Sequence, residues 1–466
     1  MLWISLNRSK PVPLIRQVYT DIRAKILRGE LSAGDKLPST RKLSEELRIS
    51  RNVVLEAYDL LLAEGYLESR RGSGHFVAPG IRLDAPAADA AGSERAWTAI
   101  DRDSDDGVID FRSGVPALDH FPRDVWAKVV QRACREAPLS ALGYGRPEGR
   151  AELRRILSRY LYRTRGVQCR PEQIVITSGA TQALSLIAKV LLSPGCSVLL
   201  EDPITLDIQT IFSSAGAVLH PIPVDEQGMM TDCLPSGKFP RFVLVTPSHQ
   251  FPLGGTLPIQ RRIQLIRYAR DNDCYIVEDD YDSEFRYDSP PINALQGLAE
   301  ERVIYVGSFS KILSPALRMG YLVLPPALVE RYQEAKWYTD LHTPSLDQLA
   351  LGLFVEEGHL EKTINRVKKV YKKRRQALCD ALYAHFPEQV STLGSSTGLH
   401  IVAAFRGTSF TPELLTSLQT AGVRVYPVEA HAIVKGRHHD KIILGYGNLT
   451  EADIAEGVRR MKKVLG

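Results

Sequence analysis

Cysteine is scarce and scattered in this 466-residue chain. Cys134, Cys169, Cys196, Cys233, Cys274 and Cys379 form no C-x-x-C pair. That spacing excludes a disulfide framework and a cysteine zinc site, predicts no metal, and suits a reduced compartment, the cytosol. Long apolar runs are lacking too: the stretch from Leu184 to Leu192 is broken by Ser185 and Lys189. Spanning a bilayer takes about 18–20 apolar residues, so no membrane span is expected. The opening MLWISLNRSK has neither an early positive charge nor a sustained apolar core, and so does not read as a secretory signal. A net charge of only +5 with 44% hydrophobic and 24% charged residues excludes global disorder. The length is several times that of a typical domain of about 150 residues, so more than one domain is expected.

The small net charge is unevenly placed. Residues 1–80 hold 13 Lys and Arg against 9 Asp and Glu, and the remainder is nearly balanced. A basic end on a neutral body suits a polyanionic partner. Between Ala78 and Val108 the chain is rich in Ala, Asp, Gly and Pro and has no hydrophobic period. A stretch of about 30 such residues joins domains rather than looping within one. The expected division is therefore a first domain over 1–78, a linker over 79–108 and a second domain over 109–466.

In the first domain Leu14, Val18, Ile22 and Ile26 recur every four residues, one face of a helix that stops at Gly29. Ser39 is placed to cap a short helix through Leu47. Ser50 is placed to cap a third, with Val54, Ala57, Tyr58, Leu61 and Leu62 facing inward. Tyr66–Ser69, the turn RRGSG and His75–Val77 read as a hairpin. A helix, a helix-turn-helix and a hairpin make a winged helix. Arg51 and Asn52 then stand at the exposed start of the recognition helix, Arg41 on the helix before it, and Arg70 and Arg71 on the hairpin tip, where phosphates and base edges are met. The plainer alternative is a small helical dimerisation module with solvated arginines. The string GDKLPSTRKLSEELRISRNVVLEAYDLLLAEGYLESRRGSGHFV closely resembles the DNA-binding domain of the GntR family. The resemblance implies Arg41, Arg51, Asn52, Arg71 and Gly72 as contacts to double-stranded operator DNA. Val53 departs from the family's frequent threonine.

The second domain alternates short β-like runs with helical stretches: Gln173–Thr177, Ser197–Leu200, Phe242–Val245, Tyr275–Val277 and Val303–Val306 read as buried strands. That pattern predicts an α/β domain with a mostly parallel, helix-covered sheet, whose ligands bind beyond the carboxyl ends of the strands. At those ends lie Ser178-Gly179-Ala180-Thr181 opening a helix, the acidic EDDYDSEFRYD, and GSFSKILSPALRMGYL with Lys311 between serines and Arg318 seven residues on. Each alone is ordinary. Together they offer a phosphate cradle at a helix N-terminus, a carboxylate, a phenol, an amine and an arginine, the groups that pyridoxal 5′-phosphate needs. The amine forms a Schiff base, and the carboxylate keeps the pyridine nitrogen protonated so that the ring withdraws electrons.

The ordered motifs SGATQAL, EDP, TPSHQFPLGG, EDDYDSEFRY and GSFSKILSPALRMGYL resemble the aminotransferase-like domain of MocR/GabR-type regulators. In these GntR-family proteins a winged helix is fused by a linker to a fold-type-I domain that binds pyridoxal phosphate. The resemblance implies that Lys311 forms the internal aldimine, that Asp279 pairs with the pyridine nitrogen and Tyr281 with the ring hydroxyl, and that Gly179, Ala180, Thr181, Ser308 and Arg318 hold the phosphate. It also implies a homodimer. The departures fall in the effector pocket. Thr205 stands where the family often has a stacking tyrosine, and Asp207 stands where the GABA-sensing member has an arginine. KIILGYGNL puts Ile443 at the position of the usual carboxylate-binding arginine, with Lys441 nearby.

Three functions compete. One is a transcriptional regulator sensing a small amine or amino acid, or pyridoxal phosphate itself. Another is a pyridoxal-phosphate-dependent aminotransferase with an accessory N-terminal domain, and the third is a scaffold with a dead site. An intact set of Lys311 and Asp279 disfavours the scaffold. Missing arginines cost a substrate carboxylate a charged hydrogen bond of about 1.5–3 kcal/mol, which favours a regulator over an enzyme.

Overall fold

A computed structural model describes residues 4, 6–8, 12–70, 72–81, 107–237, 240–288 and 290–466. The chain divides into two compact units, residues 1–101 and 102–466. Most of the expected linker, residues 82–106, lies outside the described residues.

In the first unit helix α1 (Leu14–Leu27) buries Val18, Tyr19, Ile22 and Ile26, the apolar stripe of the sequence. Helix α2 (Thr40–Leu47) is capped by Ser39, which accepts from the Lys42 amide. Helix α3 (Arg51–Ala63) is capped by Ser50, which accepts from the Asn52 amide. Val54, Ala57, Tyr58 and Leu61 are buried, and Leu62 only partly so. Strands β1 (Leu67–Arg70) and β2 (Gly74–Val77) pair antiparallel from Leu67 opposite Val77 to Arg70 opposite Gly74. The Tyr58 hydroxyl donates to the Pro38 carbonyl at 2.9 Å, tying the recognition helix to the strand-like entry of α2.

The second unit opens with β3 (Ile109–Asp110), α4 (Arg123–Glu136) and α5 (Ala151–Arg165). There follow β4 (Ile174–Thr177), α6 (Ala180–Leu191), β5 (Ser197–Asp202), α7 (Leu206–Ser214), β6 (Val218–Asp225), β7 (Gly228–Met229) and β8 (Phe242–Val245). Next are α8 (Ile259–Asp271), β9 (Tyr275–Asp280), β10 (Val303–Ser308), β11 (Gly320–Val323), α9 (Val329–Asp340), α10 (Ser345–Glu356) and α11 (His359–His385). The unit closes with β12 (Val390–Leu393), β13 (His400–Phe405), α12 (Pro412–Thr420), β14 (Val423–Arg424), β15 (Tyr426–Pro427), β16 (Lys441–Gly445) and α13 (Glu451–Leu465).

The main sheet runs β4-β11-β10-β9-β8-β5-β6-β7. Its centre is parallel, and β11 lies antiparallel between β10 and β4. Every side chain of β4 and β8 is buried, because a sheet covered by helices on both faces needs apolar residues on both. A smaller sheet, β12-β13-β16-β15, carries the C-terminal segment.

Strand β9 runs further than its apolar run suggests, through Glu278 and Asp279 to Asp280. Acidic residues continue the strand because donors meet them. Glu278 accepts from the Leu295 and Gln296 amides at 2.8 Å each, and Asp280 accepts from Arg165 at 2.9 Å.

Candidate functional site

The basic positions of the first unit are held at its surface. Arg51 and Asn52 are exposed in the first turn of α3, with Arg51 Nε 3.4 Å from the Thr40 hydroxyl. Arg41 is exposed on α2 and pairs with Glu45 one turn on at 3.2 Å. Gly72 sits at φ 75° in the hairpin turn, and the Arg70 guanidinium lies over the Phe76 ring at 4.6 Å. Arg71 lies outside the described residues. Val53 is half-buried against the core, which is what an apolar residue does at that helix position.

In the second unit a cavity of about 440 Å³ opens beyond the carboxyl ends of β4, β5, β8, β9 and β10. Lys311, Asp279, Tyr281, Ala180, Thr181, Ser308, Arg318, Thr205 and Asp207 all line it. Register explains the convergence. Asp279 on β9 lies opposite Val306 on β10, and Gly320 on β11 pairs with both Ser308 and Thr177, so these strand ends share one level.

Gly179 is the N-cap of α6 at φ 88°, a left-handed conformation open to glycine. A Cβ there would come within 2.9 Å of the Arg318 guanidinium, so the turn and the arginine close on one another. Arg318 donates to the Ser178 carbonyl at 2.8 Å, and the Ser310 amide donates to Ser308 Oγ at 3.1 Å. Gln182 accepts from the Ser178 amide at 2.7 Å and donates to Asp340 at 2.8 Å, bracing the turn from α9. A helix N-terminus with a guanidinium and hydroxyls beside it is built for a phosphate.

Lys311 Nζ donates to the Gly114 carbonyl at 2.5 Å. Burial pushes the amine below the ordinary lysine range, against the pull of Asp282, Asp279 and Asp207. Asp279 is pushed up to about 7, first by burial and then by Asp280 and Asp282. It hydrogen-bonds to no described residue, and the Lys311 amine is the cation that acts on it, in the opposite sense to burial. The Tyr281 phenol lies 3.0 Å from His249 Nδ1 and is raised well above its usual range by burial.

Thr205 is the N-cap of α7, and Asp207 sits in that helix's first turn. The Leu206 amide donates to His431 Nδ1 at 3.4 Å, and the segment carrying His431 is held by Asp202, which accepts from the Ile433 and Val434 amides. Burial lowers the His431 pKa, with Asp207 opposing. Where the resemblance puts the usual carboxylate-binding arginine, Ile443 is buried in β16 against Val402 and Val428, and Lys441 pairs with Asp440 at 2.7 Å. Neither lines the cavity. Arg112, Phe251, His400, Tyr426 and His431 do, and the sequence reading passed over them. Phe251 lies inside the TPSHQFPLGG motif, which was a usable signal. The other four reach the cavity from segments with no pattern of their own.

Residues 14–77 match the family described as bacterial regulatory proteins, gntR family, and residues 106–460 match aminotransferase class I and II. The chain is similar to the probable rhizopine catabolism regulatory protein MocR of Rhizobium meliloti. The two are 35% identical over 474 residues, 99% of this chain and 95% of that protein. It is 33% identical to the HTH-type pyridoxine biosynthesis transcriptional regulator PdxR of Corynebacterium glutamicum, over 81% of each. Among solved structures it is similar to LysN, an alpha-aminoadipate aminotransferase of Thermus thermophilus complexed with N-(5′-phosphopyridoxyl)-L-leucine. The TM-score is 0.71 and the identity 33%, over 77% of this chain and 92% of that one.

Proposed function

The chain belongs to the MocR-type subfamily of GntR regulatory proteins, a winged helix followed by an aminotransferase class I and II domain, and we propose that it is a pyridoxal-phosphate-binding transcriptional regulator. The observation that carries this reading is Asp279, a buried carboxylate with no hydrogen bond from the described residues, lining a cavity that also holds an amine and a phosphate cradle. The domain bounds proposed are 1–78 for the DNA-binding domain, 79–108 for the linker and 109–466 for the effector domain.

When bound, pyridoxal phosphate supplies an aldehyde that condenses with amines and a ring that withdraws electrons. The chain's own residues hold and orient it. Gly179, Ala180, Thr181, Ser308 and Arg318 would bind the phosphate dianion through backbone N–H groups, hydroxyl and guanidinium. Asp279 would accept from the ring nitrogen and keep a proton there. Tyr281 would meet the ring oxygen, and Lys311 would supply the amine, whose charged form burial disfavours. Thr205 offers no ring to stack, so aromatic contact falls to Phe251 or the imidazoles of His400 and His431.

Asp207 sets the effector's class: an amine or amino acid carrying a second cation or a neutral tail, or the coenzyme alone. GABA has one amine, which would be taken up at the coenzyme aldehyde, and its carboxylate would enter beside Asp207. Like charges about 4 Å apart repel by about 1 kcal/mol in water and about 4 kcal/mol at an effective dielectric near 20; exposed Asp207 lies towards the lower figure. Titrating GABA should leave the coenzyme spectrum unchanged, and a saturable change at micromolar GABA would refute the assignment of Asp207.

On the DNA side Arg51→Ala should cost about 1–3 kcal/mol and relax base preference, as for a side chain reading a base edge. Arg71→Ala should weaken binding to all sequences and flatten its salt dependence. Mobility shifts at several salt concentrations on the promoters beside the protein's own gene test both, together with the regulator reading. If no such fragment bound better than random DNA, the reading would give way to an aminotransferase, with oxo-acid production as the check.

Leu139, Leu142 and Tyr144 are 87%, 64% and 84% exposed, more large apolar surface in one segment than a lone molecule usually shows. We assign it to a homodimer, which light scattering would report. Two winged helices then call for two operator half-sites. Among the described residues no helix is long and apolar enough to cross a membrane. The proposed location is the cytoplasm, with the DNA.

A further inference from the structure

His249 follows β8 and is 1% exposed, in direct contact with the phenol of the cavity. Its Nδ1 lies 2.9 Å and 3.1 Å from the two carboxylate oxygens of Asp282 and 3.0 Å from the Tyr281 oxygen. One nitrogen thus meets an acceptor and a hydroxyl at once. An ionised carboxylate only accepts, so Nδ1 must carry the hydrogen. The phenol oxygen then receives that hydrogen jointly with Asp282. Its own O–H cannot point back at Nδ1 and is turned to the cavity, which Tyr281 and Asp282 both line. His249 Nε2 is left buried with no partner among the described residues.

The surroundings leave this pair little room to move. Gly398, at φ 81°, lies so close that a Cβ would stand 2.1 Å from His249 Cε1 and 2.6 Å from Asp282 Oδ2. The Gly398 carbonyl accepts from the hydroxyls of Tyr287 at 2.5 Å and Tyr446 at 2.7 Å, which fixes the backbone against the pair. The His400 ring lies 5.0 Å from that of His249, and its Nε2 donates to the Pro252 carbonyl at 2.9 Å. Burial holds His400 down at about 3, so it brings no cation to the pair. The charged groups bearing on the phenol are Asp282, Asp279, Glu201 and Asp280.

We propose that His249, oriented by Asp282, is a positioning residue for Tyr281, its shared Nδ1–H turning the phenol O–H into the cavity toward the oxygen of a bound ligand. The inference rests on the coenzyme reading above for the identity of that ligand. A phenol donor at the ring oxygen favours the deprotonated form of the bound coenzyme, so a misdirected phenol delays proton release to higher pH.

The test uses the full-length protein and the variants His249→Leu, His249→Asn and Asp282→Asn. Asparagine places an amide N–H where Nδ1 stands, and leucine does not. With pyridoxal phosphate bound, the pH midpoint of the near-visible absorbance should rise by about one unit in His249→Leu, the tenfold effect of one hydrogen bond to a charged group. His249→Asn should restore it to near the wild-type value. Without coenzyme, proton NMR of the wild type should show a low-field, exchange-protected imidazole N–H that both His249→Leu and Asp282→Asn lack. Equal midpoints in wild type and His249→Leu overturn the positioning role, and a missing low-field proton in the wild type overturns the shared hydrogen. If no form of the protein takes up coenzyme, it is the coenzyme reading that fails, and the proton signal alone then decides the geometry.

Discussion

Lys311→Ala is expected to yield a folded protein with no covalent hold on pyridoxal phosphate. Wild type treated with coenzyme and borohydride should carry close to one pyridoxyl group per chain, and the variant none. Lys311 is the one lysine among the residues lining the cavity. Its amine is largely buried and, among the described residues, held by one backbone acceptor, Gly114, at 2.5 Å. A neutral amine is the nucleophilic form, so the downward shift that burial imposes on Lys311 acts in the direction the condensation needs. Removing it leaves the Gly114 carbonyl facing an open cavity, where water replaces the lost donor, so little stability should be lost. Peptide mass mapping after reduction decides the matter: an adduct surviving on another lysine in the Ala variant would move the anchor elsewhere. Operator binding by the winged helix should persist, and its response to coenzyme or effector should vanish.

Asp279→Asn should weaken coenzyme binding about 10- to 150-fold, the worth of one charged hydrogen bond of about 1.5–3 kcal/mol. The same residue makes a prediction about pH without coenzyme. Its carboxyl is raised to about 7 in the folded chain by burial and by Asp280 and Asp282. A raised carboxyl lends stability that is complete below its unfolded pKa, near 4, and is lost as pH climbs through about 7. Glu201, Glu278 and Glu284 are raised to about 7 as well, chiefly by burial, and act in the same sense; His400, held near 3, acts in the opposite one. Comparing wild type with Asp279→Asn cancels these shared contributions. The coenzyme-free variant should therefore gain in melting temperature over wild type as pH rises from 4 to about 7.5. Adding pyridoxal phosphate should reverse the order, because the protonated ring nitrogen pairs with Asp279. A constant difference across that range would mean that Asp279 is solvated like a surface carboxylate.

Local sequence determined a good deal of this protein. The four-residue stripe of Val18, Ile22 and Ile26, the caps Ser39 and Ser50 and the Gly-containing hairpin turn specify the winged helix through interactions within a few residues, which a linear reading captures. The continuous apolar run Phe242–Val245 likewise announced a buried central strand. Alternation of such strands with helices placed the candidate ligand groups at strand ends before any coordinates, because a right-handed parallel crossover brings successive carboxyl ends to one edge. Tertiary structure decided the rest. The acidic stretch from Glu278 to Asp280 belongs to β9 only because Arg165 and the amides of Leu295 and Gln296 arrive from elsewhere to meet it. Ile443 stands where the resemblance puts a carboxylate-binding arginine, and only the sheet shows that it packs against Val402 and Val428. Arg112, His400 and His431 lie in segments without periodicity and reach the cavity through β13, the loop around Asp202 and the start of the second unit. Their roles depend on which distant donors, acceptors and charges stand beside them, and that depends on packing between segments rather than on the residues adjacent in the chain.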